Sequence, residues 1–225
     1  LRMIGLPDNF EVSSSTVENR KKIKNWLIRA LLKGSFGNGP DAVLTHMREI
    51  LKENGDKEFP LEKIIDSFKG TPKSITFTED DIDEYLLKKK YGSQEVLSIL
   101  MLLYPALDFS NKFHIDHMYP KSKFNRRNLI AKGVISSEIP SYLECANDIG
   151  NLQLLPANAN IVKQNKDFDV WLREEYQTKE EMKQYQSTHW LPSDQYSYYT
   201  YSNYLNFISQ RKKLMKFGLK KILLS

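Results

Sequence analysis

The stretch FHIDHMYPKSKF, residues 113–124, places two of the chain's four histidines, His114 and His117, around Asp116 and then runs into Pro120. A neutral imidazole can take a proton from water, and a carboxylate can hold a hard divalent cation. Further along, IGNLQLLPANANIVKQN carries Asn151, Asn158, Asn160 and Lys163. Asn160 can give an amide oxygen to a metal, and Asn151 can hydrogen-bond across a strand pair to steady the histidine's backbone or ring. Lys163, one turn beyond Asn160 on the same helical face, can meet a phosphate oxygen. These are the parts that one-metal hydrolysis of a phosphodiester needs: a base, His117; oxygen ligands from two elements, Asp116 and Asn160; and a group that fixes the base. His114 lies two residues before Asp116, so on a strand the two share a face. It is a further candidate for the metal or a phosphate, against the plain alternative of a packed or solvent-facing histidine. Asn158 could replace Asn160 as ligand, although a helix N-cap is the simpler role. Lys121, Lys123, Arg126 and Arg127 could contact backbone phosphates, or simply solvate a polar loop.

Those groups need a frame. KFHIDHMYP has the length and β-branched centre of a short strand closed by proline. A long polar loop follows, then IGNLQLLP as a second short apolar run between Gly150 and Pro156. ANANIVKQNKDFDVWLREEY reads as one helix with Asn158 at its cap. Upstream, residues 14–33 read as a helix with Ile23, Trp26, Leu27, Ala30 and Leu31 inward and Gly34 as its stop. Pro40 suits the first position of a second helix, with Val43, Leu44, Met47, Ile50 and Leu51 inward and Gly55 ending it. A shorter helix follows Pro60. Thr78 and Asp81 resemble a capping box before DIDEYLLKKKYG, and QEVLSILMLLYPAL predicts a buried helix ending before Pro105. His46 and His189 read as surface and structural histidines. The run DQYSYYTYSNYLNF reads as helix-packing aromatics rather than a base-stacking platform.

Composition narrows the class. In 225 residues, 40% are hydrophobic and 12% aromatic, enough for a packed core. No run approaches the about 18 uncharged apolar residues of a membrane span, and no signal peptide opens the chain, so a cytoplasmic setting is expected. The single cysteine, Cys145, excludes an internal disulfide and a zinc site built from several thiolates. Oxygen ligands without thiolates favour Mg²⁺ or Mn²⁺. The net charge of +5 permits a nucleic-acid partner without demanding one. HIDH spaces its histidines three apart and lacks the glutamate of HExxH, which argues against a metalloprotease.

With those residues in place, HIDHMYPKS followed by GNLQLLPANANIVKQN resembles an HNH nuclease of the ββα-metal (His-Me finger) class: D-H ending the first strand, Asn on the second, Asn on the helix. KKIKNWLIRALLKGSFGNGPDAVLTHMREIL, the HNH block and NKDFDVWL together resemble the C-terminal half of GmrSD-like modification-dependent restriction proteins. That resemblance implies a DNA endonuclease of restriction or phage defence, with a ParB-like NTPase domain preceding this segment. The implied fold is α+β and mostly helical, with a ββα-metal nuclease core at 109–175 between a helical region at 1–108 and another at 176–225. A second reading is a nuclease-like module that binds DNA without cutting, which the intact Asp116, His117 and Asn160 disfavour.

Overall fold

The computed structural model describes Phe10 and residues 13–37, 39–54, 58–105, 107 and 111–224. The chain divides into two compact units, Leu1–Thr78 and Glu79–Ser225. The expected division at 108 and 175 follows element type, whereas the helix before Pro105 falls in the same compact unit as the strands.

In the first unit, α1 (Val17–Leu32), α2 (Pro40–Asn54) and α3 (Leu61–Phe68) enclose Ala30, Val43, Met47, Ile50, Ile64 and Phe68. Gly34 stops α1 at a φ of +63°, a conformation glycine adopts without a Cβ penalty. The expected inward stripe is corrected here. Leu27, Leu31 and Leu44 are 41%, 53% and 46% exposed. The buried side of α1 includes Ile28, Arg29, Ala30 and Leu32, because Arg29 is drawn inside with its Nε donating to Asn25 Oδ1 at 2.8 Å. The stop expected at Gly55 lies outside the described residues. His46 is an ordinary surface residue, its ring edge-on to Phe68.

The second unit opens differently from the expected capped helix: a π-helical turn, Asp81–Tyr85, leads into a 3-10 turn, Leu86–Lys88. Helix α4 (Glu95–Leu103) is buried through Val96, Ile99, Leu100, Leu102 and Leu103, and ends before Pro105 as expected. Strands β1 (Phe113–His117) and β2 (Leu152–Pro156) pair antiparallel, with Ile115 opposite Leu154, Asp116 opposite Gln153 and His117 opposite Leu152.

Two connections differ from the sequence reading. The stretch expected as a polar loop between the strands folds into α5 (Arg126–Ala131) and α6 (Ile139–Cys145). Asn125 caps α5 by accepting from the Asn128 N–H, and Pro140 sits in the first turn of α6, so local signals inside a polar stretch sufficed. The single helix expected after β2 is two: α7 (Ala157–Lys163) and α8 (Phe168–Glu175). Gln164, at a φ of +46°, breaks them, and the turn lets Phe168 and Trp171 enter the core. Asn158 therefore lies inside the first turn of α7, whose cap position is Pro156; its Oδ1 accepts from the Ala159 N–H.

Helices α9 (Lys179–His189) and α10 (Tyr204–Leu223) complete the unit. Thr178 and Glu181 form a capping box at the start of α9. Tyr199, Tyr201, Tyr204 and Phe207 are buried, and the last three surround Tyr119, so the tyrosine-rich run packs the core as expected. Gly218 on α10 is required by close approach: a Cβ there would lie 2.5 Å from the Trp190 ring. The basic face of α10 is largely matched by acids, with Lys212 on Asp148, Lys216 on Asp83 and Lys220 on Glu79 at successive helical turns. No helix among the described residues is long and apolar enough to cross a membrane.

One side chain of α10 reaches through the core to the sheet. Arg211 is fully buried; its Nη1 donates to the carbonyls of Gly150 (2.8 Å) and Leu152 (2.7 Å), and its Nε to that of His189 (3.0 Å). Arg211→Met should leave these carbonyls unpaired and lower unfolding free energy by at least about 2 kcal/mol in urea titrations. Arg211→Lys should not restore it, since one ammonium lacks the fork that serves all three.

His189 is buried as well, stacked on Tyr185 and hydrogen-bonded through Nδ1 to the Tyr104 hydroxyl. Burial holds its imidazole well below the ordinary value of 6.5, and the charge of Arg211 adds to this. Below pH 6.5 the unfolded chain binds a proton that the folded chain refuses, so stability is full above that pH and falls as the medium is acidified. The expected loss approaches about 1.4 kcal/mol per pH unit. Urea titrations between pH 7.5 and 5.5 should show this slope in the parent and a smaller one in His189→Asn.

Candidate active site

The pleat of β1 sends neighbouring residues to opposite sides, so His114 and Asp116 share one face and His117 leaves on the other. The three side chains are fixed by three different sets of partners.

Asp116 is held from two directions. The Lys163 ammonium lies 2.9 Å from Oδ2, and Gln153, its partner in the strand register, donates Nε2 to the same oxygen at 2.8 Å. Lys163 is only 1% exposed, and its Nζ also donates to the main-chain carbonyl of His117 at 2.7 Å. One ammonium at the end of α7 thus fastens both members of the D-H pair. Burial pushes the Lys163 ammonium below its ordinary value, and the charge of Asp116 opposes that shift. This corrects the expectation that Lys163 meets a phosphate. Its neighbours Ile161, Val162 and Gln164 stay exposed, but the Lys163 side chain itself turns in against β1.

On the same face of β1, Asn160 donates Nδ2 to His114 Nδ1 at 3.1 Å. The amide therefore faces the histidine with its nitrogen and keeps Oδ1 as the atom that can hold a cation. Likewise both contacts of Asp116 fall on Oδ2, which leaves Oδ1 for that role. Among the described residues no cluster of three His, Cys, Asp or Glu side chains could hold a metal. The oxygens without a hydrogen bond on these two residues are one carboxylate and one amide oxygen, beside a histidine. Oxygens of that kind would suit Mg²⁺ or Mn²⁺, which keep several waters and bind through few protein oxygens.

His117 closes the strand. Its Nε2 donates to Asn147 Oδ1 at 3.1 Å, which leaves Nδ1 as the basic nitrogen, and its ring packs on Tyr91 with centroids 4.6 Å apart. The Tyr91 N–H donates to the Asn147 carbonyl at 2.8 Å, so both contacts ride on one short bridge. Burial lowers the basicity of His117, while the Asn147 bond and Asp116 pull the other way. The imidazole is accordingly neutral near pH 7, the state a proton acceptor needs.

Asn151, fully buried, makes its side-chain hydrogen bonds elsewhere than on the histidine ring. Its Nδ2 donates to the carbonyls of Tyr119 (3.0 Å) and Ala146 (2.9 Å), and its Oδ1 accepts from the Tyr119 N–H at 2.9 Å. It pins the bend two residues beyond His117, where the chain leaves the sheet. Lys121, Arg126 and Arg127 are exposed and Lys123 half-buried, on the 3-10 turn and α5 that follow this bend. Asn158 is exposed at the opposite end of the hairpin, beside Pro156 and Phe113.

Four residues that sequence reasoning passed over shape the site: Gln153, Tyr185, Asn147 and Tyr91. Gln153 carried a usable signal, an amide in an otherwise apolar LQLL run at the register position facing Asp116. The others gave none, because each arrives from a distant part of the chain.

Residues 73–216, well over half of the chain, match the family described as GmrSD restriction endonucleases, C-terminal domain. No curated protein matches the chain. The matched span contains the strand pair, the D-H pair, both asparagines and the lysine that joins them. By that match, and with the hairpin and helix assembled as described, the chain belongs to the family of GmrSD restriction endonuclease C-terminal domains.

Proposed function

We propose that this chain is an HNH-type, metal-dependent DNA endonuclease, the nuclease part of a modification-dependent restriction or phage-defence protein. A ParB-like NTPase domain elsewhere in that protein would control it. The observation that carries this reading is the double contact of Lys163, which ties the Asp116 carboxylate and the His117 backbone into one unit at the end of β1.

In this reading His117 is the general base. Asn147 orients its ring, and Nδ1 accepts the proton of the water that attacks phosphorus. Asp116 and Asn160 would hold Mg²⁺ or Mn²⁺ through Oδ1 of each, with His114 beside them. The cation, when bound, supplies charge stabilisation for the phosphate and the departing 3′ oxygen. Lys163 and Asn151 act through position rather than contact: the first holds β1 against α7, the second holds the turn that presents the base. Lys121, Lys123, Arg126 and Arg127 would meet the DNA backbone, their sequence-independent contacts setting orientation. A nuclease site needs such contacts around it, because phosphate neutralisation dominates affinity for DNA.

Relaxation of supercoiled plasmid with Mg²⁺, and its loss in EDTA, is the primary test; cutting that persists unchanged in EDTA rejects the metal-dependent mechanism. His117→Ala should reduce cutting by about 10²–10⁴-fold while DNA binding in a gel-shift assay persists. Asp116→Ala should lose Mn²⁺ binding as well as cutting. A His117→Ala variant that cuts near the parent rate removes His117 as the base.

Lys163→Met gives a separate readout. It strands the Asp116 charge in a buried setting, so about 3–5 kcal/mol of stability should be lost. In Lys163→Met with Asp116→Asn the charge is gone, and most of that stability should return without activity.

A further inference from the structure

Gln153 is fully buried at the second position of β2, between Leu152 and Leu154. An apolar side chain would fill that position without desolvating an amide, and a buried amide is destabilising unless its groups are paired. Both ends of this one are. Nε2 donates to Asp116 Oδ2 at 2.8 Å, and Oε1 accepts from the Tyr185 hydroxyl at 2.5 Å. Tyr185 is itself 4% exposed, on α9, its ring packed on Trp171, Tyr176 and His189.

We infer that Gln153 and Tyr185 are positioning residues for the metal ligand: together they determine which oxygen of Asp116 is left to face the cation. The inference rests on the metal-dependent reading above and deepens it. The phenolic hydroxyl must donate to Oε1, which forces Nε2 toward the carboxylate. A reversed amide would set Oε1 against the negative Oδ2 and leave the hydroxyl proton without its acceptor. Burial keeps the phenol protonated and therefore a donor. With Oδ2 occupied by Gln153 and Lys163, the carboxylate cannot rotate freely, and Oδ1 is the oxygen left for the ion. Groups behind a metal ligand that fix its orientation typically change metal affinity by about 10–100-fold when removed.

Tyr185→Phe is the cleanest variant, since it deletes one hydroxyl and keeps every ring contact. Gln153→Met removes the amide at nearly constant length. For the parent chain and both variants, three quantities are measured: Mn²⁺ affinity by electron paramagnetic resonance of the free ion, the Mg²⁺ concentration for half-maximal plasmid nicking, and the melting temperature. In Tyr185→Phe, Mn²⁺ binding should weaken about tenfold and the Mg²⁺ midpoint rise by the same factor. Its melting temperature should fall only about 2–4 °C, the effect of one lost hydrogen bond. Saturating Mg²⁺ should restore most of the cutting rate, with the KM for DNA unchanged. Gln153→Met should show the same pattern more strongly. A purely structural role would instead lower the melting temperature and leave Mn²⁺ affinity and the Mg²⁺ midpoint where they were; that result overturns the inference alone. Metal-independent cutting by the parent chain overturns the metal-dependent reading, and this inference with it.

Discussion

The buried ammonium of Lys163 is the constraint on which the site depends. A buried ion pair adds little net stability, because the gain in Coulomb energy is set against the desolvation of both charges. Its effect is geometric. Once Lys163 is inside, it has to find the Asp116 carboxylate and an acceptor such as the His117 carbonyl, and only one docking of α7 on β1 supplies both. The helix that carries Asn160 is thereby placed against the strand that carries His114 and Asp116. Arrangements that leave a charge unpaired in the core are excluded by several kcal/mol.

A second buried cation extends this order to the other strand. Arg211 holds the start of β2 by two carbonyls and the end of α9 by a third. Asn151 then joins β2 to the reversal after β1 through the Tyr119 backbone. The strands themselves are five residues each, and a two-stranded sheet of that length is marginal alone. It persists because α4 and α7 pack on it and because the buried side chains of Lys163, Arg211 and Asn151 tie its ends to neighbouring elements.

Charge is divided between these two tasks. On α10, lysines at successive turns meet Asp148, Asp83 and Glu79, so these cations serve to hold the helix. The exposed Lys121, Arg126 and Arg127 lie on the segment that follows His117 and β1, with no acidic partner among the ion pairs of the described residues. Position on the fold, more than total charge, separates a cation that can meet DNA from one that fastens a helix.

The sequence by itself determined the order strand, connection, strand, helix and singled out the candidate residues, because these signals are local: short apolar runs, bounding prolines, and the spacing of Asp116, His117, Asn151, Asn160 and Lys163. Local capping signals for α5 and α6 were also present, and the polarity of the stretch concealed them. What each site residue does was another matter. Lys163 reads as a phosphate contact one turn beyond Asn160 until α7 is seen to end there and the lysine's side chain to lie buried against β1. Asn147 and Tyr91 stand 30 and 26 positions from His117, and Tyr185 stands 32 from Gln153. Their contacts follow from how α6, α9 and the residues near Tyr91 pack on the hairpin. Spacing along a strand or helix fixes which side chains share a face. Which of them is buried, and what meets it there, is decided only when distant elements compete for the same apolar surface and every buried polar group must find a partner.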